Sequence, residues 1–124
     1  MAVVGGRYNP GTMGEQIAAC YLILKGYRII ERNFRSGHLE IDLVVHDGDC
    51  LVFVEVKTRR GNSFGGAIAA VVPRKISNMR RAARGFLDRL PGTFMFREIR
   101  FDLIAIDIDA RNDTMVLRHV KGIP

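Results

Sequence analysis

The sequence predicts an α/β fold, a single domain over residues 1–124 with a central mixed sheet flanked by helices in the order α-β-β-β-α-β-β. Three observations support it. The chain is 48% hydrophobic and 26% charged, which is typical of one globular domain. Short segments rich in Val, Ile and Leu, separated by turn residues, indicate strands. Two longer segments, one before and one after the first three strands, carry helix signals at their ends and indicate helices.

The first elements are a helix and a strand. Met13–Lys25 is predicted to be helical, with Thr12 as its N-cap and Gly26 as its stop. Residues 1–11 are then a flexible arm, and Tyr27–Phe34 forms the first strand, which leads into a basic turn.

A hairpin follows, and it concentrates the chemistry of the chain. Glu40–His46 and Cys50–Lys57 are predicted strands joined by Asp47-Gly48-Asp49. Alternation places aliphatic side chains on one face, namely Ile41, Leu43, Val45, Val52, Val54 and Val56. The other face carries Glu40, Asp42, Val44, Leu51, Phe53, Glu55 and Lys57. The charged residues of this face therefore share the end away from the turn.

The register of the hairpin decides whether acids meet. With Gly48-Asp49 as a two-residue turn, Asp42 lies opposite Glu55, and Glu40 lies opposite Lys57. A turn at Asp47-Gly48 shifts the pairing but keeps the faces, whereas a three-residue turn separates the acids. Opposed carboxylates repel each other. A hard cation such as Mg²⁺ would turn that repulsion into a binding site.

These residues resemble a known signature. Asp42, twelve further residues and then Glu55-Val56-Lys57 resemble the PD-(D/E)XK nuclease motif in the form without its leading proline. The blocks GEQIAACYLILKGYRIIERNFR, LEIDLVV, VFVEVKTR and RFDLIAI follow in order from Gly14 to Ile106. This set resembles the YraN-like family of uncharacterised bacterial proteins, which is similar to archaeal Holliday junction resolvases. The resemblance implies a restriction-endonuclease-like core and a hydrolase, an endonuclease acting on DNA, with branched or junction DNA as a candidate substrate.

The resemblance also implies roles for individual residues. Asp42 and Glu55 would hold Mg²⁺ or Mn²⁺, and the Val56 carbonyl would add an oxygen. Glu15 would be a further ligand, directly or through water. From the residues alone, Glu15 is equally well explained as a first-turn acid that complements the helix dipole.

Two charged neighbours complete the expected site. Lys57 would be catalytic, because an ammonium group can orient or activate the attacking water or offset charge on the phosphate. Glu40 would support the site from outside the metal shell by pairing with Lys57.

Charge points to a polyanionic partner. There are 19 Lys and Arg against 13 Asp and Glu, a net charge of +6. Solubility alone would also explain such an excess. A glycine-containing loop over Thr58–Val72 and a second helix over Pro73–Leu90 carry the basic groups. The predicted nucleic-acid-binding residues are Arg59, Arg60, Arg74, Lys75, Arg81 and Arg84.

The last two strands close the predicted sheet. Phe101–Ile106 is the fourth strand, and the crossover helix makes it parallel to the third. Thr114–Val120 is the fifth strand, after a polar turn over Asp109–Asp113.

The cysteines and the lengths of the apolar segments bear on the cellular compartment. Two cysteines in apolar segments indicate a reduced, cytoplasmic protein, and no apolar run is long enough to span a membrane. We expect DNA as the partner, and a homodimer is compatible with this expectation. The alternative to a nuclease is a non-catalytic nucleic-acid-binding protein that retains the nuclease fold. An interaction scaffold is a third hypothesis.

Overall fold

A five-stranded mixed sheet forms the centre of the protein. The computed structural model describes residues 10–61, 66–69, 73–92 and 96–123. The elements are α1 Pro10–Leu24, β1 Arg28–Ser36, β2 Leu39–Asp47, β3 Cys50–Arg60, α2 Gly66–Ala69, α3 Pro73–Arg89, β4 Glu98–Asp109 and β5 Thr114–Val120. The strands lie in chain order across the sheet, with β3 and β4 parallel and the other neighbours antiparallel. The predicted fold and the parallel return of the fourth strand are confirmed, and α2 is an additional short helix.

The two long helices cover opposite faces of the sheet. α1 packs against one face through Ala18, Ala19 and Leu22, while α3 packs against the other through Ala82, Ala83 and Phe86. Because both faces are covered, β3 is apolar on both sides over most of its length. None of the described helices is long and apolar enough to cross a membrane.

One predicted face assignment is wrong. Leu43 and Val45 pack on the α1 side as expected, but Ile41 packs on the α3 side with Phe34 and Val44. The reason lies in the pairing of β2. Its ladder with β3 ends at Leu43, and from there to Leu39 it pairs only with β1. A two-stranded ribbon twists more strongly than a wide sheet, so beyond Leu43 the face of β2 that carries Ile41 is rotated away from α1 and towards α3.

The first helix begins earlier than predicted. α1 starts at Pro10, so Thr12 lies inside the helix and is not its N-cap. Proline is well suited to the first helical turn, where no N–H donor is needed. The predicted end is confirmed, because Gly26 has φ 95° and the Tyr27 N–H donates to the Leu22 carbonyl at 2.9 Å, as in a Schellman motif. Of the predicted arm, residues 1–9 lie outside the described part of the chain.

The strands around the site are longer than predicted. β3 continues through Thr58 to Arg60, where the predicted loop should already have begun, because β4 supplies parallel ladder partners up to Ile108. β4 itself extends the predicted Phe101–Ile106 strand at both ends. Similarly, β1 runs on to Ser36 through most of the predicted basic turn. Within the predicted loop, residues 62–65 and 70–72 lie outside the described ranges.

A buried polar network ties α1 to the last two strands. The Asp102 carboxylate accepts hydrogen bonds from Arg100 Nε at 2.8 Å and the Gly122 N–H at 3.0 Å, and it lies 2.7 Å from His119 Nε2. The other ring nitrogen of His119 is 3.0 Å from the Tyr21 hydroxyl. Burial alone would raise the pKa of Asp102, but the hydrogen bonds from His119 and Arg100 outweigh it and lower the pKa to about 2.

Candidate metal centre

The hairpin opens where the two acids face each other. The observed pairs run from Asp47–Cys50 to Leu43–Val54, which confirms the two-residue turn at Gly48-Asp49 and its register. Regular pairing stops one residue before Asp42. There the Val56 N–H donates to the Asp42 carboxylate at 2.8 Å. The side chain of Asp42 therefore takes the place of a backbone acceptor at the fork between β2 and β3.

The carboxyl groups of Asp42, which is half-buried, and Glu55, which is buried, lie within hydrogen-bonding reach of each other. Burial raises the pKa of Glu55 to about 8, and the negative charge of Asp42 adds to the rise. Burial also raises the pKa of Asp42, against the hydrogen bond from Val56 and the positive charge of Lys75. Near neutral pH Glu55 is below its pKa of about 8 and therefore holds a proton, which it shares with the adjacent Asp42.

The two oxygens of Glu55 have different surroundings. Oε1 lies 3.3 Å from Lys75 Nζ, and only 5% of the Glu55 side chain is exposed. Oε2 is buried and has no hydrogen-bond partner among the described residues. A buried oxygen without a partner costs free energy, and a ligand at this position would relieve that cost.

A second group of acids meets Asp42 from the other side. Ligand oxygens of Glu15, Glu40 and Asp42 lie within 4.8 Å of one another. Burial raises the pKa of Glu15, and the charges of Asp42 and Glu40 raise it further. α1 has no acid in its first turn, so the explanation of Glu15 as a dipole-complementing residue does not apply. Asp42 thus lies in one cluster with Glu15 of α1 and with Glu40 of its own strand.

Asn33 is a site residue that the sequence analysis missed. With its side-chain nitrogen turned towards the acids, it donates to Glu15 Oε2 and to Glu40 Oε1, both at 3.1 Å. Its φ is 53°, a left-handed conformation that asparagine tolerates better than most residues. Asn33 therefore holds two mutually repelling carboxylates together. No pattern in the sequence indicates this role for Asn33, because its left-handed backbone and its two acceptors are visible only in the structure.

Close packing of α1 on β3 sets the position of Glu15. A methyl group at Gly14 would overlap the Thr58 hydroxyl, so only glycine allows the helix to approach the strand this closely. The Thr58 hydroxyl is buried and has no hydrogen-bond partner in the described chain. Gly14 immediately precedes Glu15, and the close approach brings that carboxylate towards Asp42.

Lys57 and Glu40 do not pair. Lys57 is half-buried on β3 opposite Ala105, and it forms no ion pair within the described ranges. Glu40 lies 3.8 Å from Arg35 on the neighbouring strand. The predicted Glu40–Lys57 pair fails because β2 leaves β3 before Glu40 and pairs with β1.

The predicted basic residues fall into two groups. Arg59 and Arg60 are exposed at the end of β3, and Arg74, Arg81 and Arg84 are exposed on α3. Lys75 is placed differently, since its ammonium group reaches Glu55. This contact joins residues 20 positions apart on two different elements, and no spacing in the sequence indicates it.

Comparisons with known proteins agree on one family. Residues 14–106 match the family model described as uncharacterised protein family UPF0102. The chain is 48% identical over 99 residues to a UPF0102 protein of Syntrophomonas wolfei, covering 80% of this chain and 84% of the relative. It is 45% identical over 114 residues to one of Corynebacterium efficiens, covering 91% and 89%. It is also 49% identical over 102 residues to one of Herminiimonas arsenicoxydans, covering 82% and 80%.

Proposed function

The chain belongs to the uncharacterised protein family UPF0102, the YraN-like family, and we propose that it is a metal-dependent endonuclease that hydrolyses phosphodiester bonds in DNA. The observation that carries this proposal is the close approach of the Asp42 carboxyl group to the buried Glu55. Two acids that repel each other are costly to a protein that does not use them, and one of these acids has a buried oxygen without a partner among the described residues.

The donor set fits a hard divalent cation such as Mg²⁺ or Mn²⁺. These ions prefer carboxylate oxygens, and a cation would provide a partner for Oε2 of Glu55, which is buried and has none in the described part of the chain. Asp42 and Glu55 would hold the ion, and Glu15 would bind it directly or through water. The carbonyl of Val56 is a further candidate ligand. When bound, the ion would polarise the scissile phosphate and stabilise negative charge.

The remaining residues position water and substrate. Lys57 has no competing ion pair among the described residues, so its ammonium group is available to orient the attacking water or to offset charge on the phosphate. Asn33 and Glu40 would keep the Glu15 carboxylate in place. The exposed arginines of α3 and of the end of β3 would contact the DNA backbone. Branched or junction DNA is the substrate we propose to test first.

A non-catalytic nucleic-acid-binding protein is the second candidate. The observation in its favour is the contact between Lys75 and Glu55, which already gives the acid pair a cationic partner without any metal. In this case the arginines would bind phosphates, and the carboxylates would only shape the surface.

A cleavage assay with matched variants tests the proposal. Wild-type protein, Lys57→Ala and Lys121→Ala would be incubated with duplex, single-stranded, flap and four-way DNA in Mg²⁺, Mn²⁺ or EDTA. We expect metal-dependent cleavage by the wild type and by Lys121→Ala, in which an exposed lysine outside the site is removed. Lys57→Ala should lose cleavage but keep DNA affinity within about threefold, because phosphate binding is shared among many basic groups.

Binding measured in parallel separates the two candidates. Affinity should fall by about tenfold or more from low to moderate salt, and Arg81→Ala combined with Arg84→Ala should weaken it. Cleavage by Lys57→Ala at the wild-type rate would remove that lysine from the mechanism. Salt-dependent binding without cleavage of any substrate would leave the non-catalytic binding protein as the function.

A further inference from the structure

Lys75 reaches the acid pair from solvent. Its side chain is 50% exposed, whereas that of Glu55 is 5% exposed, and the two meet at 3.3 Å. Lys75 lies in the first turn of α3, on an element that carries neither of the paired acids. The contact is therefore an electrostatic one between a surface cation and a buried acid.

The other buried acids are held differently. Asp102 accepts from Arg100, His119 and the Gly122 N–H. Asp107 accepts from the Ala67 N–H at 3.0 Å and from Arg118 at 3.2 Å. Such groups bind through several fixed donors. Glu55 instead meets a lysine, whose ammonium group sits on a flexible four-carbon stem.

We propose that Lys75 is a counter-ion built into the site, which a divalent cation displaces from Glu55 and which then contacts a phosphate of the bound DNA. This inference rests on the proposed metal site and adds a residue and an order of events to it. Before the metal arrives, Lys75 offsets the negative charge shared by Asp42 and Glu55. A cation bound at Oε2 of Glu55 would share this carboxylate with the ammonium group at Oε1, and the two positive charges would repel each other.

After displacement from Glu55, Lys75 lies next to the exposed arginines of α3. Its stem is anchored at the start of α3, beside Arg74 and on the helix that carries the exposed Arg81 and Arg84. An ammonium group released there enters a basic surface, where a phosphate would be its next partner. Metal binding and DNA binding should therefore each increase the affinity for the other. The metal displaces Lys75 from Glu55 and makes it available to a phosphate, and a phosphate that holds Lys75 keeps it away from the metal site.

The test measures metal affinity without DNA. Mn²⁺ would be titrated into the full chain by calorimetry, with wild type, Lys75→Met, Lys75→Arg and Arg74→Met compared. Arg74→Met is the matched control, because it removes one positive charge at the adjacent exposed position without touching Glu55. We expect Lys75→Met to bind Mn²⁺ at least about tenfold more tightly, since the competing cation lies a few ångströms from the ligand oxygen. Arg74→Met should change affinity by less than about threefold, as expected for a solvent-screened charge.

A second measurement separates competition from a structural role. Lys75→Arg keeps a cation and should show no gain in Mn²⁺ affinity. At saturating metal, Lys75→Met should cleave DNA more slowly than Lys75→Arg, despite its tighter metal binding. A lysine that only stabilises the fold would give weaker metal binding in Lys75→Met and a lower melting temperature.

Each outcome decides between this inference and the proposed function. Equal shifts in Lys75→Met and Arg74→Met, or weaker binding by Lys75→Met, would overturn the role of Lys75 and leave the metal-dependent nuclease intact. Tighter metal binding by Lys75→Met without cleavage of any DNA would support the counter-ion and remove the nuclease. Absence of Mn²⁺ binding by all four proteins would overturn both.

Discussion

Replacing Glu55 with glutamine should change how stability depends on pH. Glutamine keeps the size of the side chain but cannot ionise. In the wild type, the pKa of Glu55 rises from an ordinary 4.5 to about 8 on folding, because the side chain is buried next to Asp42. Between these two values the unfolded chain has released its proton and the folded chain still holds it. Stability of the metal-free wild type should therefore fall as the pH rises through this window.

The size of the effect follows from the width of the window. Stability changes by about 1.4 kcal/mol for each pH unit over which one proton is bound in only one state. The interval from 4.5 to about 8 sets a ceiling of about 5 kcal/mol. Because Asp42 shares the proton, we expect about 2–4 kcal/mol. Glu55→Gln should thus resemble the wild type near pH 4.5 and be more stable by this amount above pH 8.

Urea unfolding in EDTA at half-unit steps from pH 4.5 to 9 would measure the difference. Glu31→Gln is the matched control, because Glu31 is an exposed carboxylate on β1 outside the cluster. Its stability should follow the wild type at every pH. A Glu55→Gln variant that is equally destabilised across the whole range would refute the reasoning, since it would mean that the contact with Lys75 outweighs the cost of burying the acid.

Three other predictions concern the same site. Without metal, Asp42→Asn should be at least as stable as the wild type, and more stable by up to about 2 kcal/mol. Mg²⁺ or Mn²⁺ should raise the melting temperature of the wild type, and the variant should lose most of this rise. A destabilised variant together with a metal-insensitive wild type would refute the metal site. Gly14→Ala should lower the free energy of unfolding by about 1–3 kcal/mol in urea, because the added methyl group overlaps the Thr58 hydroxyl. Adding Thr58→Ala to this variant should restore part of the lost stability. No recovery in the double variant would exclude that overlap as the cause. Asn33→Ala should be less stable than Asn33→Gly, which keeps the left-handed backbone, while both lose the bridge between carboxylates; equal stability would mean that φ at this position costs nothing.

Local chemistry made the hairpin predictable. A Gly-containing two-residue turn between alternating apolar residues fixes a register, and the observed pairs from Asp47–Cys50 to Leu43–Val54 follow it. The boundaries of β5, Thr114–Val120, were predicted correctly for a similar reason, because a polar turn precedes it. The opposition of Asp42 and Glu55 could be predicted because it depends on these local rules.

The predictions that were wrong, and the contacts that were not predicted, depend on long-range geometry. The side to which Ile41 points depends on where β2 leaves β3, and the length of β3 depends on its partner β4. The contacts of Lys75 with Glu55 and of Asn33 with Glu15 join residues whose separation carries no periodic signal. Such contacts arise from the packing of helices on the sheet, which composition and spacing do not encode directly.

The tie between Tyr21 and His119 has a consequence for the synthesis of the protein. The two residues are 98 positions apart, yet the hydroxyl of one lies 3.0 Å from the ring of the other. On the ribosome, α1 therefore emerges long before its polar partner on β5 exists. At about 5–20 residues per second, these 98 positions take about 5–20 s to translate. Throughout that time the helix that carries Glu15 lacks this anchor and depends on its packing against β1, β2 and β3, which are made earlier.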